Sequence, residues 1–230
     1  MKKQTVIIII AAIILLDQFL KFYVKLNYYA GEEHNIIGEW FKFHFVENEG
    51  MAWGWKFGGD IGKITLTLFR LIAVIWGTFL IRDFIKKGYH KGFIICAALI
   101  YAGALGNLID SMFYGLFFDS TTNLHNFQNA GVVANCFTGK GYGSLLQGKV
   151  VDMLYFPIFH SRFPSWMPFW GGERFEFFSP VFNVADASIS LGVFIIFIFQ
   201  NKFFKKQQVV ENVPVVETQK MENNQISITE

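Results

Sequence analysis

The sequence predicts an all-α membrane protein with four transmembrane helices, a small extracytoplasmic β-sheet element and a long extracytoplasmic loop before the fourth helix. Three observations support this fold class. The 230 residues are 53% hydrophobic and only 17% charged, below the roughly 25% charge of ordinary soluble domains. Four apolar runs are long enough to span a bilayer. Nine basic residues near the ends of these runs fall on one side of the membrane.

The four predicted spans are roughly residues 5–24, 61–81, 92–114 and 182–204. A helix needs about 20 apolar residues to cross the hydrocarbon layer, and each span should be helical because unpaired backbone groups are costly in lipid. The first run begins like a signal peptide, but no small-x-small cleavage site follows it. We therefore expect an uncleaved first helix.

The orientation follows from nine basic residues near the ends of the spans. They are Lys2, Lys3, Arg82, Lys86, Lys87, Lys91, Lys202, Lys205 and Lys206. Because cytoplasmic loops are enriched in Lys and Arg, both termini are predicted to be cytoplasmic. We expect one membrane domain over residues 1–206. Residues 207–230 are polar and poor in aromatic residues, which predicts a disordered cytoplasmic tail.

The two outer loops are then residues 26–60 and 115–180. Within the first, residues 40–45 are predicted to form a strand with one apolar face, because aromatic and polar side chains alternate from Phe41 onward. Glycines at 50, 54, 58 and 59 interrupt the pattern, so we expect a short sheet on the membrane surface. The second loop is irregular and rich in Asn, Gly and Phe.

Two aspartates, Asp152 and Asp186, lie beside apolar runs on the predicted outer side. Carboxylates at a bilayer boundary are costly to desolvate and are typical of functional sites. Two adjacent carboxylates do not both ionise readily, so one keeps a proton while the other activates water. For Asp186 alone, a favourable interaction with the helix dipole is an alternative explanation.

Other polar pairs fall at helical spacing on the same outer side. Asp17 and Lys21 are one turn apart, which predicts either a simple ion pair or a pair that braces a site. Asn107 and Asp110 share one face of the third helix, and we expect a supporting role for them. Asn183 repeats that spacing relative to Asp186.

Arg70 is a further charge, about 14 Å along the second predicted helix. An arginine at that depth needs a partner or water. We consider pairing with Asp17 or Asp110, and the alternative is that the side chain reaches the headgroups.

Several chemistries lack support in the sequence. There is no H-E-x-x-H motif, the five histidines lack metal-ligand spacing, and no G-x-S-x-G motif occurs. Residues 143–149 imitate a phosphate-binding loop, but Val150 replaces the required Ser or Thr. Cys96 and Cys136 fall on opposite sides of the predicted membrane, so we expect no disulfide. A net charge of +2 without a basic cluster gives no indication of nucleic acid binding.

Five motifs in order resemble the bacterial lipoprotein signal peptidase (signal peptidase II) family. They are Asp17-Gln18 with Lys21, Asn48-Glu49-Gly50-Met51-Ala52-Trp53-Gly54, Gly103-Ala104-Leu105-Gly106-Asn107-Leu108-Ile109-Asp110, Val151-Asp152, and Phe182-Asn183-Val184-Ala185-Asp186. The resemblance covers most of residues 15–195.

The resemblance implies an aspartyl endopeptidase of the bacterial inner membrane that cuts diacylglyceryl-modified prolipoproteins just before the lipidated cysteine. It implies that Asp152 and Asp186 are catalytic, near the extracytoplasmic face. It further implies that substrate-binding or supporting roles belong to Asp17, Lys21, Asn48, Gly50, Asn107, Asp110 and Asn183. The expected partners are lipid-modified prolipoproteins and membrane lipids. No metal or cofactor is expected, and the expected state is a monomer.

The chain departs from the family pattern in two places. Many members have arginine directly after the Gly-Asn-x-x-Asp motif, where this chain has Ser111, and residues 114–149 are longer than expected. Transport or ion conduction remains an alternative, because intramembrane charges also mark permeation paths, but the chain has no repeats or broken-helix pattern. A non-catalytic scaffold of the same fold is the third alternative, and it would tolerate the loss of both aspartates.

Overall fold

Four long helices dominate the computed structural model, which describes residues 1–49, 59–121, 131–157, 159–162, 164–168, 171–172, 174–177 and 180–204. The helices are α1 (Lys3–Asn27), α2 (Gly59–Lys86), α3 (Lys91–Phe117) and α4 (Val184–Phe203). All four are long and apolar enough to cross a membrane. The predicted four-helix membrane architecture is therefore confirmed, and the helix ends differ from the predicted spans by at most five residues.

Helix α3 is the centre of the bundle and packs against α1, α2 and α4. Small residues on α3 allow this close packing, as is common where helices meet in membranes. A Cβ atom at Gly103 would lie 2.2 Å from the carbonyl oxygen of Ala185, and one at Gly106 would lie 2.9 Å from Asp17 Oδ2. The first turn of α4 is thereby held directly against α3.

A three-stranded antiparallel sheet is formed by β1 (Glu33–Ile37), β2 (Phe41–Asn48) and β3 (Val150–Tyr155), in that order. The strand predicted over residues 40–45 is present and extends to Asn48. The sheet also contains β3, which sequence reasoning described only as short apolar runs. Strands β4 (Phe159–Arg162) and β5 (Arg174–Phe177) form a separate antiparallel pair.

The sheet packs on one end of the bundle, where α1 and α3 finish and α2 and α4 begin; we call this the sheet end. Apolar side chains from β2, β3, α1 and α3 form one buried cluster there, including Val24, Phe45, Tyr114 and Val151. A buried ion pair between Lys25 of α1 and Glu47 of β2 joins the sheet to the helices. A second apolar cluster lies at the opposite end of the bundle.

The described part of the long segment before β3 packs against the sheet end. Isolated bridges join Phe118 to Cys136 and Tyr29 to Val133. Gly148 donates its N–H to the Ser111 carbonyl at 2.9 Å, and a Cβ atom at Gly148 would lie 1.9 Å from the Asp110 carbonyl oxygen. This segment thus runs along the end of α3 and leads directly into β3.

Some sequence predictions fall outside the described residues. They concern Gly50 and the glycines at 54 and 58, the basic residues Lys205 and Lys206, and the tail over 207–230. Cys96 and Cys136 are both described, and both are free thiols.

Candidate active site

Asp152 lies in the middle of β3, opposite Val46 of β2, and only 3% of it is exposed. Its two carboxyl oxygens accept hydrogen bonds from the side-chain amides of Asn48 and Asn183, at 3.2 and 2.6 Å. Burial raises the pKa of the Asp152 carboxyl to about 7, and the negative charge of Asp186 acts in the same direction, outweighing the two amide hydrogen bonds. Asp152 is therefore poised to carry a proton near neutral pH.

Asp186 lies in the first turn of α4, where Asn183 is the N-cap residue. The Asn183 side-chain oxygen accepts a hydrogen bond from the Asp186 N–H at 2.8 Å, the usual way to satisfy an exposed donor at a helix start. The Asp186 carboxylate accepts a hydrogen bond from Asn107 Nδ2 at 2.7 Å. Asn183 therefore contacts both aspartates, Asp152 by its side-chain amide and Asp186 by its carbonyl oxygen.

Lys21 joins the remaining polar groups beneath the two aspartates. Its ammonium lies 2.8 Å from Asp17 Oδ2 and 2.7 Å from Asp110 Oδ2, and it donates to Asn107 Oδ1 at 2.9 Å. Because Asn107 also donates to Asp186, the ammonium orients the amide that holds Asp186. The Asp17–Lys21 ion pair expected from helical spacing is thus present, as part of a buried network across three elements.

Asp17 also fixes the position of α4. Its Oδ1 accepts a hydrogen bond from the Ala185 N–H at 2.8 Å. Free N–H groups at a helix start favour negative charge, so this contact stabilises the first turn of α4 against α1.

Gln18 belongs to the same network, although the sequence analysis named it only as part of a motif and gave it no role. Its Nε2 donates to Asp110 Oδ1 at 2.8 Å, and its Oε1 accepts from the Tyr114 hydroxyl at 3.0 Å. The sequence contained one signal for this role, because Gln18 is an amide side chain within an apolar span and directly follows Asp17 in the motif. It holds Asp110 on the side opposite Lys21.

Arg70 of α2 donates from Nη1 to the Ser111 hydroxyl at 3.0 Å, and that hydroxyl donates to the Asn107 carbonyl at 2.9 Å. Of the two partners considered from the sequence, Asp110 lies within electrostatic reach of Arg70. Asp17 and Asp110 both form ion pairs with Lys21. Ser111, the departure from the family pattern, is thus the residue that receives Arg70.

Five of the site residues named from the sequence form one hydrogen-bonded group, and three more lie directly beneath it. The group contains Asn48, Asn107, Asp152, Asn183 and Asp186, and the residues beneath are Asp17, Lys21 and Asp110. Gly50 lies outside the described residues. Among the described residues no cluster of three or more His, Cys, Asp or Glu side chains has the geometry of a metal site.

The arrangement can supply one acid and one base from the same site. Asp152 is buried and favours its protonated form, whereas Asp186 begins a helix and is partly exposed. Two carboxyls in such different surroundings can divide acid and base roles between them.

Comparisons with known proteins identify the family of the chain. Residues 9–202 match the family model Peptidase_A8, described as signal peptidase (SPase) II. The chain is 41% identical over 197 residues to a lipoprotein signal peptidase of Porphyromonas gingivalis, covering 85% of this chain and 82% of that one. It is 34% identical over 186 residues to one of Amoebophilus asiaticus, covering 80% and 72%.

A solved structure described as a bacterial membrane enzyme has a similar fold. Its TM-score is 0.53 at 24% identity, and the match covers 90% of this chain and 93% of that one.

Proposed function

The chain belongs to the signal peptidase II family, and from that premise we propose that it is a membrane aspartyl endopeptidase. Its proposed substrates are diacylglyceryl-modified prolipoproteins, cut just before the lipidated cysteine. The observation that carries this proposal is that Asn183 donates to the Asp152 carboxyl and Asn107 donates to the Asp186 carboxyl, while Asn183 also donates to Asn107. We assign the site residues of β2, α1 and α3 to supporting or substrate-binding roles.

In the proposed reaction Asp186 is the base and Asp152 the acid. Asp186 takes a proton from water as the water oxygen attacks the amide carbon, and Asp152 gives its proton to the carbonyl oxygen. The resulting tetrahedral intermediate then collapses. The C–N bond breaks, the proton on Asp186 passes to the leaving nitrogen, and a hydroxyl proton returns to Asp152. The pair ends each cycle with the single proton with which it began.

The raised pKa of Asp152 supports this assignment of the acid. With a pKa of about 7, this carboxyl is about half protonated at neutral pH, so the acid form is available for the reaction. The amide groups of Asn48 and Asn183 hold both of its oxygens in place. Preorganised groups of this kind are effective because they need no rearrangement during the reaction.

The proposed location is the bacterial cytoplasmic membrane, with the sheet end facing outward and both termini cytoplasmic. Those of the supporting basic residues that the structure describes lie at the opposite ends of the helices. Such a placement puts the aspartates at the depth of a peptide bond next to a lipid anchor, while the acyl chains stay among the helices. We propose that the protein acts as a monomer without metal or cofactor.

Cleavage of a purified diacylglyceryl-modified precursor in detergent tests the proposal. Asp152→Asn and Asp186→Asn should each abolish processing, because general acid–base catalysis by one such group contributes on the order of 10²- to 10⁴-fold. A chelator should leave the wild-type rate unchanged.

Asp83→Asn is the matched control, because Asp83 pairs with Lys87 in an exposed position on α2 at the opposite end of the bundle. It should process the precursor at the wild-type rate. Normal turnover by either site variant, with equal amounts of folded protein, would indicate a non-catalytic scaffold.

A further inference from the structure

The cation nearest the centre of the buried network, Lys21, has all three of its donors engaged. They contact Asp17, Asp110 and Asn107, and a lysine ammonium has no further N–H to offer. Lys21 therefore balances the carboxylates of α1 and α3. It makes no direct hydrogen bond to Asp186.

Arg70 brings a second cation to the site from α2. Its guanidinium lies within electrostatic reach of three carboxylates, those of Asp186, Asp110 and Asp152. A guanidinium has five donors in a rigid fork, and the one at Ser111 fixes its position against α3. Because Ser111 is fully buried, this contact directs the Arg70 side chain towards α3 and not towards the lipid headgroups.

The contact with Ser111 also connects Arg70 to Asp186 through two intervening residues, Ser111 and Asn107. Ser111 lies one helical turn after Asn107, so the two share a face of α3. The Ser111 hydroxyl donates to the Asn107 carbonyl, and the Asn107 amide donates to Asp186. The chain of contacts from α2 to α4 is therefore continuous.

We propose that Arg70 is a positioning residue for the peptidase reaction, placing a positive charge near Asp186 and holding Asn107 through Ser111. This inference rests on the proposed function. The inference predicts that the positive charge near Asp186 can come from an arginine on α3 as well as from Arg70 on α2. The side chain of an arginine at position 111 would leave the α3 backbone one turn after Asn107, near the carboxylates of Asp110 and Asp186.

Four variants test the proposal in the cleavage reaction. Arg70→Leu should lower kcat on the order of 10²-fold with little change in KM, because electrostatic preorganisation acts on the transition state. Arg70→Lys should fall between wild type and Arg70→Leu, since it keeps the charge without the planar fork. Adding Ser111→Arg to Arg70→Leu should recover at least about tenfold, roughly the rate factor that 1.4 kcal/mol supplies.

Arg82→Leu is the matched control, because Arg82 is an exposed residue of the same helix, about 18 Å nearer its other end. It should process at the wild-type rate. Three results would each overturn the inference: a wild-type rate for Arg70→Leu, an equal loss for Arg82→Leu, or a combined variant no better than Arg70→Leu alone.

A double-mutant cycle provides a readout that does not need catalysis. The Tm in detergent is compared for wild type, Arg70→Leu, Asp186→Asn and the combination of the two. If Arg70 interacts with Asp186, the combined shift in Tm should be smaller than the sum of the single shifts. Additive shifts in Tm would overturn the inference even if cleavage is normal. Coupled shifts together with no cleavage by the wild type would contradict the proposed function but leave the Arg70–Asp186 interaction supported.

Discussion

At the scale of single residues, the two candidate catalytic aspartates have the same functional group in different surroundings. Asp152 is buried in a strand between two amides, and Asp186 begins a helix and is partly exposed. Because burial penalises the charged form, the proton of the pair belongs on Asp152. In the proposed reaction, the environment supplied by the fold therefore determines which carboxyl acts as the acid.

The rate of precursor cleavage should fall as the pH rises through about 7, where Asp152 loses its proton. Above that pH we expect a loss of about tenfold per pH unit, since the acid form is required. The measurement is kcat/KM from pH 6 to pH 9, with a precursor that has no titratable side chain near the cut. A flat profile over this range would contradict the role of Asp152 as the acid.

The same pKa predicts a pH-dependent effect of Asp152→Asn on stability. The pKa of the Asp152 carboxyl is higher in the folded state than in the unfolded state, so the protonated carboxyl stabilises the fold fully only below the unfolded pKa of about 3.9. This contribution to stability is lost as the pH rises towards the folded pKa of about 7. Asparagine does not titrate. The variant should therefore gain stability relative to wild type between pH 4.5 and pH 8.5, by about 4 kcal/mol at most.

Thermal unfolding in detergent at these two pH values measures the gain, with Asp83→Asn as the control for loss of a carboxylate. A difference between wild type and Asp152→Asn that stays the same at both pH values would show that the Asp152 pKa is not raised.

At the scale of secondary structure, the site depends on the close approach of α3 and α4. Asn107 on α3 reaches Asp186 on α4 only because glycines on α3 leave room for the first turn of α4. Interfaces between membrane helices commonly use small residues in this way. The packing of two helices therefore sets the geometry of a side-chain hydrogen bond.

Gly103→Ala should push α4 away from α3, because the added Cβ would lie 2.2 Å from the Ala185 carbonyl oxygen. We expect a loss of about 1–3 kcal/mol of stability from overpacking, together with reduced cleavage. Gly143→Ala is the matched control, since its Cβ would make an ordinary 3.4 Å contact with Gln147. Equal Tm values for both variants would show that α3 and α4 do not pack tightly at Gly103.

At the scale of the whole molecule, the candidate site and the basic connection between α2 and α3 lie at opposite ends. The aspartates, the three-stranded sheet and the start of α4 share the sheet end. The basic residues of the short connection between α2 and α3 lie at the other end. In a membrane this arrangement favours a sheet end on the outer face.

Single cysteines test this orientation in a background with Cys96 and Cys136 replaced by alanine. Glu39→Cys lies at the exposed turn between β1 and β2, and Lys87→Cys at the exposed connection after α2. A membrane-impermeant maleimide should label position 39 in spheroplasts and position 87 only after permeabilisation. The reverse pattern would contradict cytoplasmic termini.

The sequence alone determined the features that depend on residues close together in the chain. Membrane spans follow from apolar runs of sufficient length, and the Asp17–Lys21 pair follows from one helical turn. The five motifs were enough to identify the family, which the comparisons confirm. The strand beginning near residue 40 was visible because alternation is also a local pattern.

Only the tertiary structure decided which distant groups meet. Asn48 and Asp152 are 104 residues apart in the chain and become neighbours through the pairing of β2 with β3. Lys21 receives Asp110 as its second partner, and Arg70 meets Ser111, through helix packing that no local pattern records. The physical reason is that contact across a fold depends on how several elements bury their surfaces together, whereas a local pattern reports on one element at a time.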